Sequence, residues 1–365
     1  MKLGVVDVFC GIGGLSYGFK GEGFDVIAGI DSDESCRYAY ESNLKANFIS
    51  SGIEEIAGSD ISELFSRKRQ DFRVLIGCAP CTPYSIYTGR YRKQRQVDER
   101  WQLLREFSRL VRSTRPDVVS MENVPRLTRH AIFYDFVREL EEAGYTITFS
   151  TVRAEHYGVP QRRARLVLFA SLWGMVTLPP PSHKGCPRTV RDAIGKLPRI
   201  RAGQACSTDR LHLSRGLSVR NLARIRATGE GGSWSDWDHS LQLACHKKKQ
   251  GKSFRSVYGR MTWDAPSPVI TTQCLGIGNG RFGHPSQDRA ISIREAALLQ
   301  SFPKTFRFIE PKARINGHRL ARQIGNAVPV RLARMIARAI KLHLLEVSAS
   351  PDGPKPAAKR SQQLH

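Results

Sequence analysis

The chain has 365 residues, which is enough for a sizeable hydrophobic core and one or two domains. Lys and Arg number 57 against 33 Asp and Glu, so the formal net charge is +24. Such an excess predicts a polyanionic partner, with nucleic acid first; a basic surface that only confers solubility is the alternative. No apolar run reaches the length of a membrane span, which excludes a membrane-spanning class.

Basic residues are concentrated in one part of the chain. Residues 1–70 carry 7 basic and 11 acidic residues, whereas residues 183–262 carry 17 basic and 5 acidic residues. This segregation predicts a nucleic-acid-binding face in the second segment.

The eight cysteines show no paired framework, and Cys78 and Cys81 form the only CxxC pattern. A structural zinc site would need a second pair of ligands, which the sequence does not offer at a suitable spacing, so we expect no metal. Without a signal peptide, we interpret the cysteines as reduced and the protein as intracellular.

The first residues predict a strand, a glycine-rich turn and a helix. The strand Gly4–Phe9 leads into Gly11-Ile12-Gly13-Gly14, where the backbone can approach a ligand; a plain strand-to-helix turn is the alternative. A second strand, Phe24–Ile30, ends at Asp31. A carboxylate there suits the two hydroxyls of a ribose, or else caps the next helix.

The alternation of strand and helix patterns continues to about residue 171 and predicts an α/β fold with a doubly wound, Rossmann-like sheet of parallel strands. A third strand is expected to end within Ser51–Ile56, and a fourth is expected to begin at Val74. Three more strands are expected at Asp117–Met121, Tyr145–Val152 and Arg165–Ser171. Helices are expected at Asp60–Arg69, Leu103–Arg112, Ile132–Ala143, Ile293–Gln300 and Val330–Leu345.

Composition predicts three divisions of the chain. Residues 1–182 and 291–347 form the larger domain, and residues 183–290 form a second, smaller domain of mixed or irregular structure. Residues 348–365 are rich in Pro and Ala, which is typical of a disordered tail.

The stretch Val74–Ser85 is typical of a buried strand that delivers one thiol, Cys81, at its carboxyl end. Glu122 follows the next strand, and Arg163 and Arg165 lie just before and at the start of another. These groups fit methylation of carbon 5 of a pyrimidine: a thiolate adds at carbon 6, a carboxyl acts at N3, and cationic donors stabilise charge at the exocyclic oxygen.

The residues after this strand are polar, basic and aromatic up to Arg105, which fits a mobile lid that contacts phosphates; a solvated loop is the alternative. Trp234 and Trp237 suit either a wedge into DNA or a local core of the smaller domain. All cysteines other than Cys81 are interpreted as structural, because no charged partner marks them in the sequence.

Five motifs, in order and at compatible spacings, resemble those of the DNA (cytosine-5) methyltransferase family, which uses S-adenosyl-L-methionine. They are Asp7-Val-Phe9-Cys-Gly11-Ile-Gly13-Gly14, Pro80-Cys81, Glu122-Asn123-Val124, Gln161-Arg-Arg163-Ala-Arg165 and Gln323-Ile-Gly325-Asn326-Ala327-Val328-Pro329.

This resemblance implies a role for each matching residue. Cys81 would be the nucleophile, Glu122 would act at N3 and N4 of a flipped cytosine, and Arg165, steadied by Arg163, would reach the base oxygen. The implied cofactor-binding residues are Asp7, Phe9, Gly11, Gly13, Gly14, Leu15, Asp31, Ser32, Ile53, Pro80, Leu103, Asn326 and Ala327. The expected DNA-binding residues are Ser85, Arg90, Arg92, Lys247, Lys248 and Lys249.

Three positions depart from the family pattern. Thr82 stands where Gln is usual, Ser32 where an aromatic residue is frequent, and Gly52 where an Asp commonly meets the adenine amino group. None of them removes a group that carries the chemistry.

The chain resembles bacterial restriction–modification enzymes, since it has one target-reading segment and no regulatory domain. That resemblance implies a cytoplasmic, nucleoid-associated monomer that acts on double-stranded DNA and protects it from a cognate endonuclease. The alternatives are a tRNA cytosine-5 methyltransferase, a catalytically silent DNA-binding relative and an amino-directed DNA methyltransferase. Cys81 and Glu122 argue against the last two, and the basic segment 183–262 argues against the tRNA enzyme.

Overall fold

The computed structural model describes residues 1–80, 102–248, 251 and 254–350. Two compact units are present: the first comprises residues 1–153, 164–181 and the chain from 330 onward, and the second comprises residues 154–163 and 182–329. Among the described residues, no helix is both long enough and apolar enough to cross a membrane.

The first unit contains one seven-stranded sheet in the order β3-β2-β1-β4-β5-β7-β6. β1 and β5 are buried along their whole length, as parallel strands covered on both faces must be. The strands are β1 (Leu3–Val8), β2 (Asp25–Asp31), β3 (Asn47–Ser50), β4 (Phe72–Gly77), β5 (Val118–Asn123), β6 (Thr146–Arg153) and β7 (Ala164–Ser171).

Helices connect the strands and form the rest of the regular structure. In chain order they are α1 (Gly14–Gly21), α2 (Arg37–Leu44), α3 (Gly58–Ser66), α4 (Gln102–Thr114), α5 (Ala131–Glu142), α6 (Val190–Ile194), α7 (Val219–Arg226), α8 (Ala244–Lys247), α9 (Ile293–Leu299), α10 (Gly317–Asn326) and α11 (Val330–Ala349).

The two faces of the sheet are covered by different helices. α3, α4 and α5 pack on the face that carries Val6 and Val8, where they form a continuous apolar core. Asp7 points to the opposite face because side chains alternate along a strand, and it contacts α1 there. α11 packs against α1 and is tied to β7 by the 2.9 Å hydrogen bond between His343 and Ser171. The predicted doubly wound, Rossmann-like α/β fold is therefore confirmed.

Two sequence-based predictions within this unit were wrong. No strand reaches residues 51–56: β3 ends at Ser50, and a 3-10 turn covers Ile53–Glu55. The sheet is also not entirely parallel, since β7 lies between β5 and β6 and is antiparallel to both. β6 is an edge strand with mostly exposed side chains, which explains its polar sequence.

The second unit has short helices and isolated bridges, and its described residues contain no extended strand. Buried arginines satisfy backbone carbonyls that no ladder pairs. Arg260, 5% exposed, donates to the carbonyls of Thr228, Ile225, His284 and Gln287. In a fold with little regular structure, such side-chain donors replace the hydrogen bonds of a sheet.

A buried ion pair supports the same unit. Arg289 is fully buried and donates to both oxygens of the Glu295 carboxylate at 2.7 Å. Burial alone would raise the pKa of Glu295. The hydrogen bonds and charge of Arg289 outweigh that effect, so the pKa of Glu295 is lowered. Removing one partner of such a pair costs about 3–5 kcal/mol because it leaves an unpaired buried charge.

The compact units and the predicted domains share a boundary near residue 182. They differ in that residues 154–163 and 291–329 pack within the second unit. α11 extends to Ala349, one residue past the predicted start of the tail at residue 348, and residues 351–365 lie outside the described residues. The functional division between the two domains stays a prediction.

Candidate active site

Glu122 lies at the carboxyl end of β5 and is only 2% exposed. A carboxylate removed from water needs polar partners, because its desolvation is costly. Arg165, near the start of β7, brings its Nε atom to 2.8 Å from Glu122 Oε1, and its side chain is 12% exposed. The two predicted catalytic residues therefore form an ion pair within the first unit.

The antiparallel direction of β7 makes this contact possible. Glu122 is paired with Val167, and Asn123 with Leu166, so the start of β7 lies beside the end of β5. In a purely parallel sheet, the start of β7 would lie at the opposite edge.

Glu122 Oε1 retains capacity for a further partner. The Arg165 N–H does not point along the 2.8 Å contact, and this buried oxygen accepts no aligned hydrogen bond from the described residues. An acceptor of this kind fits the N4 amino group of a cytosine, which is the role that the resemblance implies for Glu122.

Side chains from β5 also hold the segment that follows β4. The Cys78 thiol donates to Glu122 Oε2 at 2.9 Å, and the Asn123 side-chain amide donates to the Ala79 carbonyl at 3.1 Å. These contacts anchor the two residues that precede Pro80 and Cys81 in the sequence. Sequence reasoning missed Cys78; its place at a strand end, three residues before Cys81, was the available signal.

Cys10 and Cys274 are buried thiols. Burial raises the pKa of Cys10 well above its ordinary value, with Asp7 and Asp31 adding to the effect. Burial also raises the pKa of Cys274 to about 12. Neither thiol ionises near neutral pH, so neither is a candidate nucleophile.

The glycine-rich turn has an unusual backbone that leaves room for a ligand. Phe9 has φ 62° and Gly11 φ 50°, and positive φ angles are rare for aromatic residues. A Cβ atom built on Gly11 would meet no other atom within 4 Å. Open space beside the backbone of the turn that precedes α1 fits a cofactor that lies against this turn.

Asp31 ties this turn to the end of β2. Its two carboxylate oxygens accept the backbone N–H groups of Gly11, at 2.8 Å, and of Asp33, at 2.9 Å. The cap of the following 3-10 turn is Asp33 and not Asp31, because the Asp33 side chain accepts from Ser35. This position fits the predicted contact with a ribose and disfavours the alternative of a helix cap.

Asp7 lies on the α1 side of the sheet and is 1% exposed. Burial raises the pKa of Asp7 to about 7; the Ser16 hydrogen bond opposes the shift, and the Asp31 charge adds to it. Ser16 Oγ donates to Asp7 Oδ2 at 2.5 Å and contacts the Tyr40 hydroxyl at 3.0 Å. Asp7 Oδ1 has no hydrogen-bond partner among the described residues. The predicted role of Asp7 toward the cofactor stays a prediction.

The remaining predicted cofactor residues differ in accessibility. Ile53 is 3% exposed and Leu103 partly buried, and both pack against the core beneath α3 and α4. Gly13, Gly14 and Leu15 are buried at the start of α1, Pro80 is partly buried, and Ser32 is exposed. Asn326 and Ala327 end α10, in the second unit. Their contacts with a cofactor stay predictions.

Arg163 also belongs to the second unit and is 4% exposed. Its guanidinium donates to the Gln161 side chain at 3.3 Å and to the Ile270 carbonyl at 3.4 Å. Gln161 Nε2 in turn donates to Gln300 Oε1 at 2.9 Å. Arg163 is thus assigned to the second compact unit and Arg165 to the first, and their predicted shared role at one site stays a prediction.

The chain of amide contacts continues to the last motif. Gln300 Nε2 donates to the Ile324 carbonyl at 2.6 Å and to the Ala327 carbonyl at 3.2 Å. Gly325 packs so closely on Thr271 that a Cβ atom would come within 2.4 Å of its backbone. Within the second unit, buried amides therefore connect the paired-arginine motif to the motif that contains Asn326.

Several predicted residues are not described by the structure. Cys81, Ser85, Arg90, Arg92 and Lys249 lie outside the described residues, as do residues 87–101 of the predicted lid. The helix α4 begins at Gln102, so Arg105 is helical and not part of a loop.

Lys247 and Lys248 are exposed and follow a buried anchor. That anchor is His246, which stacks on Trp234 at a ring distance of 4.2 Å. Burial, and then the Arg224 charge, lower the pKa of His246, so it is neutral near pH 7. Trp234 and Trp237 are 7% and 5% exposed, which favours the local core over a DNA wedge.

Part of the positive charge in residues 183–262 is not on the surface. Arg224 and Arg260 are each 5% exposed and bind internal carbonyls. Their charge is used to hold the unit together, which composition alone does not reveal. The basic segment is therefore a weaker indicator of a DNA-binding face than its net charge suggests.

We expect the Asp31→Ala variant to bind S-adenosylmethionine at least about tenfold more weakly, because a charged hydrogen bond contributes about 1.5–3 kcal/mol. Isothermal titration calorimetry measures the affinity. Asp25→Ala is the matched control, since Asp25 lies at the opposite end of β2 and binds Lys68 at the surface. Equal affinity of the Asp31 variant and the unmodified protein would remove Asp31 from the cofactor site.

Comparison with known proteins identifies the family. Residues 3–342 match the model of the C-5 cytosine-specific DNA methylases. The Type II methylase M.HgiDII of Herpetosiphon aurantiacus is 48% identical over 344 residues, which cover 93% of this chain and 95% of that protein. The Type II methyltransferase M1.HphI of Haemophilus parahaemolyticus is 30% identical over 347 residues, 93% of this chain and 87% of the relative.

Solved structures share the fold. A protein encoded within an Escherichia coli prophage, described as a DNA modification methyltransferase, superposes with a TM-score of 0.72 at 23% identity and covers 94% of this chain and 100% of its own. DNMT2 of Spodoptera frugiperda gives a TM-score of 0.66 at 14% identity, with 93% and 100% covered. By sequence and by fold, the chain belongs to the C-5 cytosine-specific DNA methylase family, whose members use S-adenosylmethionine as the methyl donor.

Proposed function

We propose that this DNA cytosine-5 methyltransferase flips a cytosine out of a specific double-stranded sequence and methylates it through a covalent adduct with Cys81. The observation that supports this most is the contact of Arg165 and Cys78 with Glu122 at the carboxyl ends of β4 and β5. Cys81 follows β4 in the sequence by four residues, so the nucleophile and the carboxyl come from neighbouring strands.

The role of Cys81 follows from the low reactivity of carbon 5. A sulfur–carbon bond forms at carbon 6, and the electron pair of the ring double bond becomes available at carbon 5. After carbon 5 has taken the methyl group, loss of its proton expels the thiolate and restores the double bond. The thiolate is regenerated, and the proton passes to a base or to water.

Glu122 and Arg165 assist the addition step. Glu122 holds a proton or hydrogen bond at N3 while negative charge develops in the ring, and its free Oε1 lone pairs suit the N4 amino group. Arg165 orients this carboxyl and supplies positive charge near the exocyclic oxygen. Both groups are largely buried, so water competes little with these contacts.

S-adenosylmethionine supplies an electrophilic methyl group when it is bound. The residues that would hold it are those of the glycine-rich turn, where Gly11 leaves open space, and Asp31, whose carboxylate faces the same turn. On the basis of the family resemblance, we also propose that Asn326 and Ala327 contact the cofactor.

A methyl-transfer assay tests the proposed function. With radiolabelled S-adenosylmethionine, label should enter duplex DNA and not tRNA, and bisulfite sequencing of plasmid from expressing cells should reveal one methylated sequence. Label in tRNA alone would favour the tRNA cytosine-5 methyltransferase. DNA binding without label would favour a silent relative.

We further propose that residues 183–290 choose the target sequence. Lys247 and Lys248 are exposed in this segment, and Lys249 follows them. Replacing all three with Gln should weaken binding to all DNA sequences alike and reduce the salt dependence by up to about three units of slope. Titration of fluorescent duplexes at several salt concentrations measures both effects; the same change at Lys304 and Lys312 is the control.

A chimera separates phosphate contacts from sequence choice. Grafting residues 183–290 from a relative with a different target should move the methylated site while the chemistry persists. Retention of the original target would place the recognition determinants elsewhere, most simply in the predicted lid that ends at Arg105.

We also propose that the protein acts as a monomer and protects host DNA from a cognate endonuclease of the same specificity. The 48% identity to a Type II methylase supports this role. Plasmid from expressing cells should then resist the restriction endonuclease that recognises the methylated sequence, and light scattering should give the mass of one chain.

A further inference from the structure

The Cys78 thiol contacts the carboxylate that the proposed mechanism places at N3 of the base. Its Sγ atom lies 2.9 Å from Glu122 Oε2, with the thiol as donor. Glu122 is 2% exposed, so this contact is made where water is scarce. We propose that Cys78 is a positioning residue that fixes the orientation of the Glu122 carboxyl for base recognition. This inference rests on the proposed function, since it gives Cys78 a role in the same reaction.

The sheet register determines the contact. β4 and β5 are parallel, and Gly77 is paired with Met121. The next residues along the two strands, Cys78 and Glu122, therefore lie side by side at the same edge. A side chain at position 78 faces the carboxyl because both strands are fixed in the buried sheet.

Each oxygen of the Glu122 carboxyl contacts a different side chain. Cys78 binds Oε2, and Arg165 Nε lies 2.8 Å from Oε1. With one contact on each oxygen, rotation of the carboxyl about its last bond is restricted. The restriction matters because a group that acts in a transition state is most effective when its geometry is already set.

The chemical nature of the partner is also relevant. A thiol is a weak hydrogen-bond donor compared with a hydroxyl or an amide N–H. It can therefore orient the carboxylate while holding its negative charge less firmly than a stronger donor would. The second contact between the same strand ends, from Asn123 to the Ala79 carbonyl, keeps the backbone of position 78 in place.

Steady-state kinetics with duplex DNA test the proposal. Cys78→Ala should lower kcat by about fivefold to tenfold, as expected for loss of one hydrogen bond, and leave KM for S-adenosylmethionine unchanged. Cys78→Ser keeps a donor and should recover most of the rate. Ser66→Ala, which removes an exposed hydroxyl at the end of α3 in the first unit, should match the unmodified enzyme. Equal kcat for Cys78→Ala and the unmodified enzyme would overturn the proposal.

A second measurement does not depend on methyl transfer or on the folding of a Cys78 variant. In a Cys81→Ala background, the rate at which iodoacetamide alkylates Cys78 is followed by mass spectrometry, with Cys206 as the internal reference. A neighbouring carboxylate disfavours the thiolate, so Glu122→Gln should accelerate alkylation of Cys78 several-fold. An alkylation rate at Cys78 that does not respond to Glu122→Gln would overturn the contact.

The two measurements also separate this inference from the proposed function. If the unmodified protein methylates DNA and Cys78→Ala is equally fast, the inference fails while the function stands. If the unmodified protein transfers no methyl group to DNA, the function fails, and with it the role of Cys78 in that reaction.

Discussion

Replacement of Cys81 by serine should abolish methyl transfer while DNA binding persists. A hydroxyl is far less ionised than a thiol near neutral pH, so it cannot add to carbon 6 of the base at a useful rate. Without that addition, carbon 5 does not become nucleophilic. Radiolabel incorporation measures the loss, and a gel-shift titration with the same duplex measures the retained binding.

A mechanism-based substrate provides the complementary test. In a duplex with 5-fluorocytosine at the target, the fluorine cannot leave as a proton, so the adduct with Cys81 should accumulate and resist denaturation. Peptide mapping should then identify Cys81 as the attached residue. The covalent mechanism would be contradicted if Cys81→Ser transferred methyl groups as fast as the unmodified enzyme. A trapped adduct at another cysteine would contradict it as well.

Glu122→Gln should lower kcat by about 10²–10⁴-fold, the range expected for loss of a group that handles a proton in the transition state. The amide has nearly the same shape, so the packing around β5 should be retained. It cannot supply a proton at N3, and it loses the ionic part of the contact with Arg165. Affinity for S-adenosylmethionine should stay the same, because the glycine-rich turn and Asp31 follow β1 and β2, and β4 lies between β1 and the Glu122 strand β5.

The control for this variant is Glu139→Gln. Glu139 is also a partly buried acid of the first unit, but its partners are on α4, where Ser108 donates to it and Arg112 lies 3.8 Å away. Its replacement should leave kcat within about twofold of the unmodified enzyme. A Glu122 variant as active as this control would remove the carboxyl from the chemistry.

The sequence by itself determined most of the strands and helices, and it also determined which reactive side chains follow the strands. β-branched and apolar runs predicted β1, β4 and β5, because strands covered on both faces must be apolar throughout. Local spacing also predicted α4, whose buried side chains recur at helical intervals. The motif residues were found from their types and order, which do not depend on tertiary contacts.

Only the tertiary structure decided the direction of β7. The residues of a strand give the same pattern in a parallel and in an antiparallel pair, so the sequence predicted a parallel strand that would have placed Arg165 at the wrong edge. Direction depends on which neighbour the strand meets after the chain returns, and that is a long-range property. With β7 reversed between β5 and β6, Arg165 reaches Glu122.

The same limit applies to polar contacts between distant segments. Cys78 and Glu122 are 44 residues apart, and Gln161 and Gln300 are 139 residues apart. Arg260 is indistinguishable in sequence from a surface arginine, yet it is buried and donates to four backbone carbonyls. Whether a charged or polar side chain faces DNA or the interior depends on unpaired backbone groups that appear only when the chain is folded.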